Sequence, residues 1–466
     1  ANVDPGGSDQ RGATRFVNGS LDLGAVETQE RIVTTAVDED DLIPGAGLSL
    51  REAVANQFAA PESTITFDPG LDGQTITLGG SQMVIDSDLT VDASALPSGL
   101  TISGNNASRL FRVSPGVSAV FRDLSLTGGS GAGVPLSSYG GAFFNEGTLS
   151  LDRCWLWSNA GFAGGAIFNG STGSLVIADS TISGNSASYG GAIQNEGALA
   201  GSNSTMAMNT GSVRGGAINV AFNGSVNLVH CTIVGNTSSE GGGVGGNNLT
   251  LNNTIVADNT ALTDPDVTGG FSGSNNLIGV DPQLSDLADY GGPTPTMRPL
   301  MGSRVLDVAG LSALALDQRG LSRPVGGGAD LGAVEAQSSA VQVLDGELTL
   351  RPTFTWTAPN ATSAEFYLGT DPGSLSTLGN AASPYTPASP LAFATTYYWR
   401  VDYMIGGELV PGEVLSFTTR SRDLVVDTIA DENDGVALGG ISLRDALAEA
   451  VEVDPPETIT FAPGLD

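Results

Sequence analysis

The chain has 466 residues and a net charge of −32, from 50 acidic side chains against 18 basic ones. All the bases are Arg, and the acidity excludes nucleic acid and anionic membrane surfaces as partners. Charged residues make up only 15% and Gly reaches 65, so the chain is turn-dense, and its length allows about three domains.

In chain order, residues 9–27 (DQRGATRFVNGSLDLGAVE) return at 317–335 (DQRGLSRPVGGGADLGAVE), an offset of 308. Residues 31–72 return at 423–466, with an offset of 393 at Ser49/Ser442 and 394 at Pro69/Pro463. The chain therefore reads as the tail of one unit, one full unit, and the head of the next. The sequence is expected to be a window on a longer tandem array, because half-units this short cannot bury a core alone. Within each head a short helix is predicted. Ser49 is its N-cap and Glu52 completes a capping box, with Leu50, Val54 and Phe58 on the apolar side. Ser442, Leu443, Asp445 and Leu447 repeat the pattern. Such a helix would cover the open first coil of a solenoid.

Short alternating strands follow at Ile65/Phe67, Ile76/Leu78, Val84/Ile85, Leu89/Val91, Leu100/Ile102 and Leu110–Val113. From Phe121 to Asn259 one paragraph is written five times. Gly-Gly pairs fall at 140, 164, 190, 215 and 241, with gaps of 24, 26, 25 and 26 residues. Asn159, Asn185, Asn209, Asn236 and Asn259 keep a second ruler, with gaps of 26, 24, 27 and 23. A fixed period of this size marks a solenoid, and runs of three or four alternating apolar residues mark strands rather than helices. The fold class is all-β: a right-handed parallel β-helix of about 25 residues per coil with a short helical N-terminal cap, its coils stacked at roughly 4.8 Å. Asn should stack on Asn at one corner, and the Gly pairs should serve positive φ or close approach. About nine coils would give roughly 45 Å of rod. After Leu277 the pattern loosens, and residues up to Glu335 read as a closing cap. Residues 338–421 carry aromatic strands, Phe354–Trp356, Phe366–Leu368, Thr395–Val401 and Leu415–Thr419, which suggest a β-sandwich.

Cys154 and Cys231 occupy similar places in two coils about three rises apart, roughly 15 Å by the inter-strand spacing. That is too far for a disulfide, so both read as buried thiols.

The segment Leu48–Ala53 followed by Ile65–Phe67 resembles the CSLREA-type head of bacterial secreted β-helix proteins, with Leu48 in place of the usual Cys. The coils with Gly-Gly-Ala-Ile are similar to polymorphic-outer-membrane-protein and pectate-lyase-like repeats. Gly291–Thr296, Asp317–Gly320 and Asp330–Glu335 resemble the choice-of-anchor Q closing region, and 338–421 resembles a bacterial fibronectin type III domain. These resemblances imply a secreted, repetitive surface protein and no agreed activity. The chain then divides into 1–30, the tail of a preceding β-helix unit; 31–337, a capped parallel β-helix; 338–421, a fibronectin type III-like β-sandwich; and 422–466, the head of a following unit.

Catalytic chemistry finds little footing. Arg109, Arg112, Arg122, Arg153 and Arg214 are scattered, Asp123, Asp152 and Asp179 fall one per coil, and His230 is the single His. The chain is read as no enzyme. Calcium is the one cofactor candidate: Asp38, Asp40 and Asp41 in the first head, and Asp431, Asn433 and Asp434 in the second, place oxygen ligands at the same position of both copies. A solvated acidic loop is the competing reading. The expected function is a structural repeat unit of an extracellular fibre, filament or giant adhesin, whose partners are neighbouring copies of itself, head to tail, with surface glycans as a further candidate partner. A carbohydrate-binding or carbohydrate-cleaving β-helix is the alternative; alternation puts Trp155 and Trp157 on one face, where they would stack sugars if exposed.

Overall fold

A computed structural model of the chain describes residues 30–40, 47–55, 63–131, 138–300, 303–310, 314–325, 327–336, 340–344, 350–357, 361–405, 408–410, 412, 414–419, 424–429, 441–449 and 458–463. The first copy of the repeated closing motif (9–27), Phe58, Asp41, Asp431, Asn433 and Asp434 lie outside them. The chain divides into two compact units, one formed by residues up to 324 with 328–335, the other by 325–327 and 336 onward.

The first unit is a right-handed parallel β-solenoid. Its strands form three faces, of ten, nine and eight parallel strands in coil order. One coil is enough to see the logic. Thr148–Asp152 lies on the first face, a sharp corner leads to Trp155–Trp157 on the second, and a longer loop leads to the third; there the coil reaches Ile167–Asn169 and turns back to the first face at Ser174. Alternation sends every second side chain inward, and parallel register stacks like on like. Leu149, Leu175, Leu199, Val226 and Leu249 form one inner column. Leu156, Ile182, Met206, Ile233 and Val256 form another, and Ile167, Ile193, Ile218 and Val244 a third. The expected strands at 65–113 are present as the first coils. Ten strands on one face at about 4.8 Å give roughly 43 Å of rod.

The Asn ruler is a hydrogen-bonded ladder. Asn159 Nδ2 donates to Asn185 Oδ1 at 3.0 Å, Asn185 to Asn209 at 3.0 Å, Asn209 to Asn236 at 2.9 Å and Asn236 to Asn259 at 2.9 Å. Asn259 donates to Asp266 Oδ1 at 2.9 Å. Asp266 is a suitable last rung because it only has to accept. A second ladder, Asn145 to Asn169 to Asn195, runs at the tight turn at 2.7 Å per step; Val220 follows Asn195 in register and ends it.

The Gly-Gly pairs divide two tasks. The first Gly of each pair has φ between +57° and +69°. The second sits where an added Cβ would lie 2.0–2.4 Å from the carbonyl oxygen of the next coil for Gly141, Gly165, Gly191 and Gly216. No side chain fits there, so stacking at the ordinary spacing requires Gly. The corner between first and second faces makes a left-handed column instead: Asp123, Arg153, Asp179, Asn203, His230, Asn253 and Asn275 have φ between +43° and +55°. Asn, Asp and His tolerate that region best; Arg153 is the exception.

The predicted capping box is formed. The Ser49 N–H donates to Glu52 Oε2 at 2.9 Å, and the Glu52 N–H to Ser49 Oγ at 3.1 Å. The helix Leu50–Ala55 buries Leu50, Ala53 and Val54 in the solenoid core. Arg31 Nη1 ties its end by donating to the Ala53 carbonyl at 2.9 Å.

The described residues of 281–324 and 328–335 do not serve only to close the end of the coils. They run back along the second face. Gly332 N–H donates to the Asn253 carbonyl, Ala333 N–H to Thr232 Oγ1, Thr205 Oγ1 to Gln318 Oε1 and Thr181 Oγ1 to the Pro295 carbonyl. The physical reason is the row of outward Thr side chains, which offers hydrogen bonds to backbone groups of the segment and to Gln318. Met297, Val305 and Leu331 pack on Ala207, Val234, Ile255 and Ala257 as a second small core. Under this return segment all three residues of Thr181–Ser183, Thr205–Ala207, Thr232–Val234 and Ile255–Ala257 are buried.

In the second unit Ala340–Leu344 pairs antiparallel with Thr353–Thr357. A five-stranded antiparallel sheet is built around Ala361–Gly369 and Thr396–Ile405. Phe354 packs against Phe366 and Trp399 with ring centroids 4.9 and 4.8 Å apart, and Trp356 stacks on Phe366. Aromatic side chains from the two sheets thus interlock, as between the layers of a sandwich. Beyond it, Leu424–Val426 pairs in parallel with Ile459–Phe461, and the helix Leu443–Glu449 packs on Leu424 and Val426 through Ala446. This repeats the first head, where Glu30–Val33 pairs in parallel with Ser63–Phe67.

Candidate functional site

Of the six oxygen-bearing residues expected to hold calcium, Asp38 and Asp40 are described. The Asp38 carboxylate is engaged: Arg51 Nε and Nη2 each donate to it at 2.8 Å, and the Gly79 N–H donates at 2.6 Å. It fastens the head to the first coil. Asp40 is exposed. Among the described residues no three His, Cys, Asp or Glu side chains converge as a metal site.

The motif residues Asp317, Arg319, Arg323, Asp330 and Glu335 come together in a buried network. Arg319 Nη2 meets Asp317 Oδ2 at 2.7 Å, and the Glu335 N–H donates to the same oxygen at 3.0 Å. Glu335 Oε2 accepts from the Asp330 N–H at 2.9 Å and lies 3.7 Å from Arg323 Nη1. Arg323 also donates to the carbonyls of Asp330 and Gly332 at 2.8 and 3.0 Å. Such a network suits burial, since a buried charge needs every partner it can find, and Arg323 Nε is left without one.

His230, the single His, is fully buried at the left-handed corner, with Nδ1 2.5 Å from Arg323 Nη1 and Nε2 3.0 Å from Asn253 Nδ2. Arg323 can only donate, so Nδ1 accepts and the ring is neutral. Burial, then the neighbouring Arg323 charge, pushes its pKa down to about 3. His230 anchors the return segment.

Asp123 and Asp152 form ion pairs with Arg122 and Arg153, chiefly Asp123–Arg153 with two contacts of 2.8 Å. That hydrogen bonding raises the Arg153 pKa. The two thiols are free and buried, and burial pushes each up to about 12.

Trp155 and Trp157 are half-exposed on the second face, with Leu156 inward. Their rings stack with centroids 5.2 Å apart and an interplanar angle of 27°. Trp155 Nε1 donates to Ser183 Oγ at 2.9 Å, and Trp157 Nε1 to Ser125 Oγ at 2.8 Å, so each ring is pinned to a neighbouring coil. A cleft of about 560 Å³ opens beside Trp155, walled by Ser98, Thr101, Asp123, Ser125 and Arg153 on the solenoid and roofed by Asp289, Gly292 and Pro293 of the return segment. It exists because the return segment's close hydrogen-bonded cover begins one coil later, at Thr181. The sequence placed both Trp on one face but had no means of locating the roof.

A second site emerges from comparing the two heads. Leu50, Val54 and Phe67 are 1%, 2% and 4% exposed, whereas their counterparts Leu443, Leu447 and Phe461 are 45%, 61% and 60% exposed. Fold and sites together define a parallel β-solenoid unit, a second unit built on antiparallel sheet, and a strand–helix–strand head that occurs in both. No protein-family model matches the chain, and no curated protein is detectably similar to it.

Proposed function

We propose that the chain is a structural repeat of an extracellular surface fibre or adhesin, in which solenoid rods follow one another head to tail. In this reading its work is mechanical, not catalytic. The coil ladders make a stiff rod, and the sandwich, read as a fibronectin type III-like domain, spaces one rod from the next. CSLREA-type heads would start each rod. The observation that carries the reading is the second head. It copies the first in strand pairing and helix, yet leaves exposed the three apolar side chains that the first head buries. Exposed apolar groups clustered in this way mark an interaction surface.

The test is immunogold electron microscopy of cells that make the protein, with antibody raised against this chain. The reading predicts labels at regular intervals along thin surface structures. Labelling confined to the cell interior would overturn it.

A further inference from the structure

We propose that the cleft between Trp155 and the return segment binds a neutral oligosaccharide, with the Trp155 ring as its stacking platform. The inference goes beyond the structural role and stands whether or not rods stack head to tail.

Three observations converge. The outward row of the second face is polar and fully covered at Thr181, Thr205 and Thr232, but at Trp155 it is aromatic and half-exposed. A sugar ring presents an apolar face of C–H groups and a polar rim, and an indole held flat suits the first. The ring does not swing: its N–H is fastened to Ser183, and Trp157 stacks on it, so little side-chain entropy is lost on binding. The rim then meets polar walls, the hydroxyls of Thr101 and Ser125 and the Asp123–Arg153 pair. The volume, about 560 Å³, lies within the usual range for small-ligand sites.

Charge selects among glycans. Asp123 and Arg153 neutralise each other at 2.8 Å, and Asp289 on the roof leaves the lining with a negative charge that disfavours acidic glycans. The whole chain carries −32, which repels polyuronates and sialylated chains at low salt. A neutral hexose oligomer fits both facts.

The experiment is titration of the full chain with maltotriose, cellotriose, laminaritriose and mannotriose, and with trigalacturonate as the acidic comparison, followed by tryptophan fluorescence and calorimetry. At least one neutral trimer should saturate with a Kd of about 1 mM or tighter. Trp155→Ala should weaken that binding by about tenfold or more. Thr101→Trp, which fills the cleft from an outward position and leaves Trp155 in place, should do the same with an unchanged melting temperature. No saturable binding of any neutral trimer, binding unaffected by Thr101→Trp in the folded variant, or tighter binding of trigalacturonate would each overturn the proposal.

Discussion

Leu443 holds in the second head the place that Leu50 holds in the first, and it is 45% exposed where Leu50 is 1% exposed. The two residues share a helix position and a parallel strand pair, and Leu50 is packed into the solenoid core. Substitution should separate them. Leu50→Ala removes a buried side chain from the solenoid core and should cost about 2–5 kcal/mol in denaturant unfolding of the first unit. Leu443→Ala should change unfolding by less than about 0.5 kcal/mol.

The Asn ladder makes a directional prediction. Asn209 accepts from both the N–H and Nδ2 of Asn185, and donates to the Ile182 carbonyl and to Asn236. Asn209→Ala orphans buried partners on both sides and should cost about 2–4 kcal/mol. Asn209→Asp keeps the acceptor and loses the donor, setting a carboxylate against the Asn236 oxygen, and should be at least as damaging. Asp266→Asn, at the last rung, should stay within about 1 kcal/mol of wild type. Chemical denaturation of the three variants checks the order.

His230 gives the fold a pH dependence of known sign. Its folded pKa of about 3 lies below the ordinary value, so the unfolded chain binds the extra proton first. Stability is therefore fully present above about pH 6.5 and falls as pH drops from there to about 3, by up to about 1.4 kcal/mol per pH unit. This is the only His, and burial raises the Asp179, Glu196 and Asp258 carboxyls towards the same window, so the His230 share of the slope between about pH 5 and 6.5 is read as a difference from the variant. Comparing denaturation midpoints of wild type and His230→Gln across that window should show the wild-type slope and a flatter variant.

Cys154 and Cys231 share a column with Ser180, Ser204 and Thr254. Ser180 Oγ donates to the Ala178 carbonyl at 2.6 Å and Ser204 Oγ to the Ser202 carbonyl at 2.7 Å, while Cys231 Sγ makes the same bond at 3.6 Å to Val229. Ser already works in this place, so Cys154→Ser and Cys231→Ser should each stay within about 1 kcal/mol. Burial and a pKa near 12 keep both thiols unreactive towards a disulfide reagent at neutral pH until the fold opens. Thiol titration in native and denaturing buffer reads this directly.

Most of the rod was legible because its residues answer to neighbours one period away. The ladder Asn, the Gly pairs and the inward Leu and Ile columns each recur with the coil, and the capping box at Ser49 and Glu52 is local. The return segment was not legible in the same way. Its partners, Thr181, Thr205 and Thr232, look like ordinary outward strand residues, and Gln318 reaches them across more than a hundred residues of sequence. The cleft at Trp155 inherits that difficulty, since its roof is the return segment. Asp38 shows a further limit. Its acidic neighbours suggest a cation, but its carboxylate serves Arg51 and Gly79, and that pairing depends on how the head folds onto the first coil.

The most direct test of the stacked-rod account is hydrogen exchange at Leu443–Glu449 in two chains, this one and one in which residues 73–335 are appended after Asp466. The account predicts that the appended coils bury Leu443 and Leu447 and slow exchange in that helix by about a hundredfold or more. Equal exchange in both chains, with the appended solenoid itself folded, would contradict it.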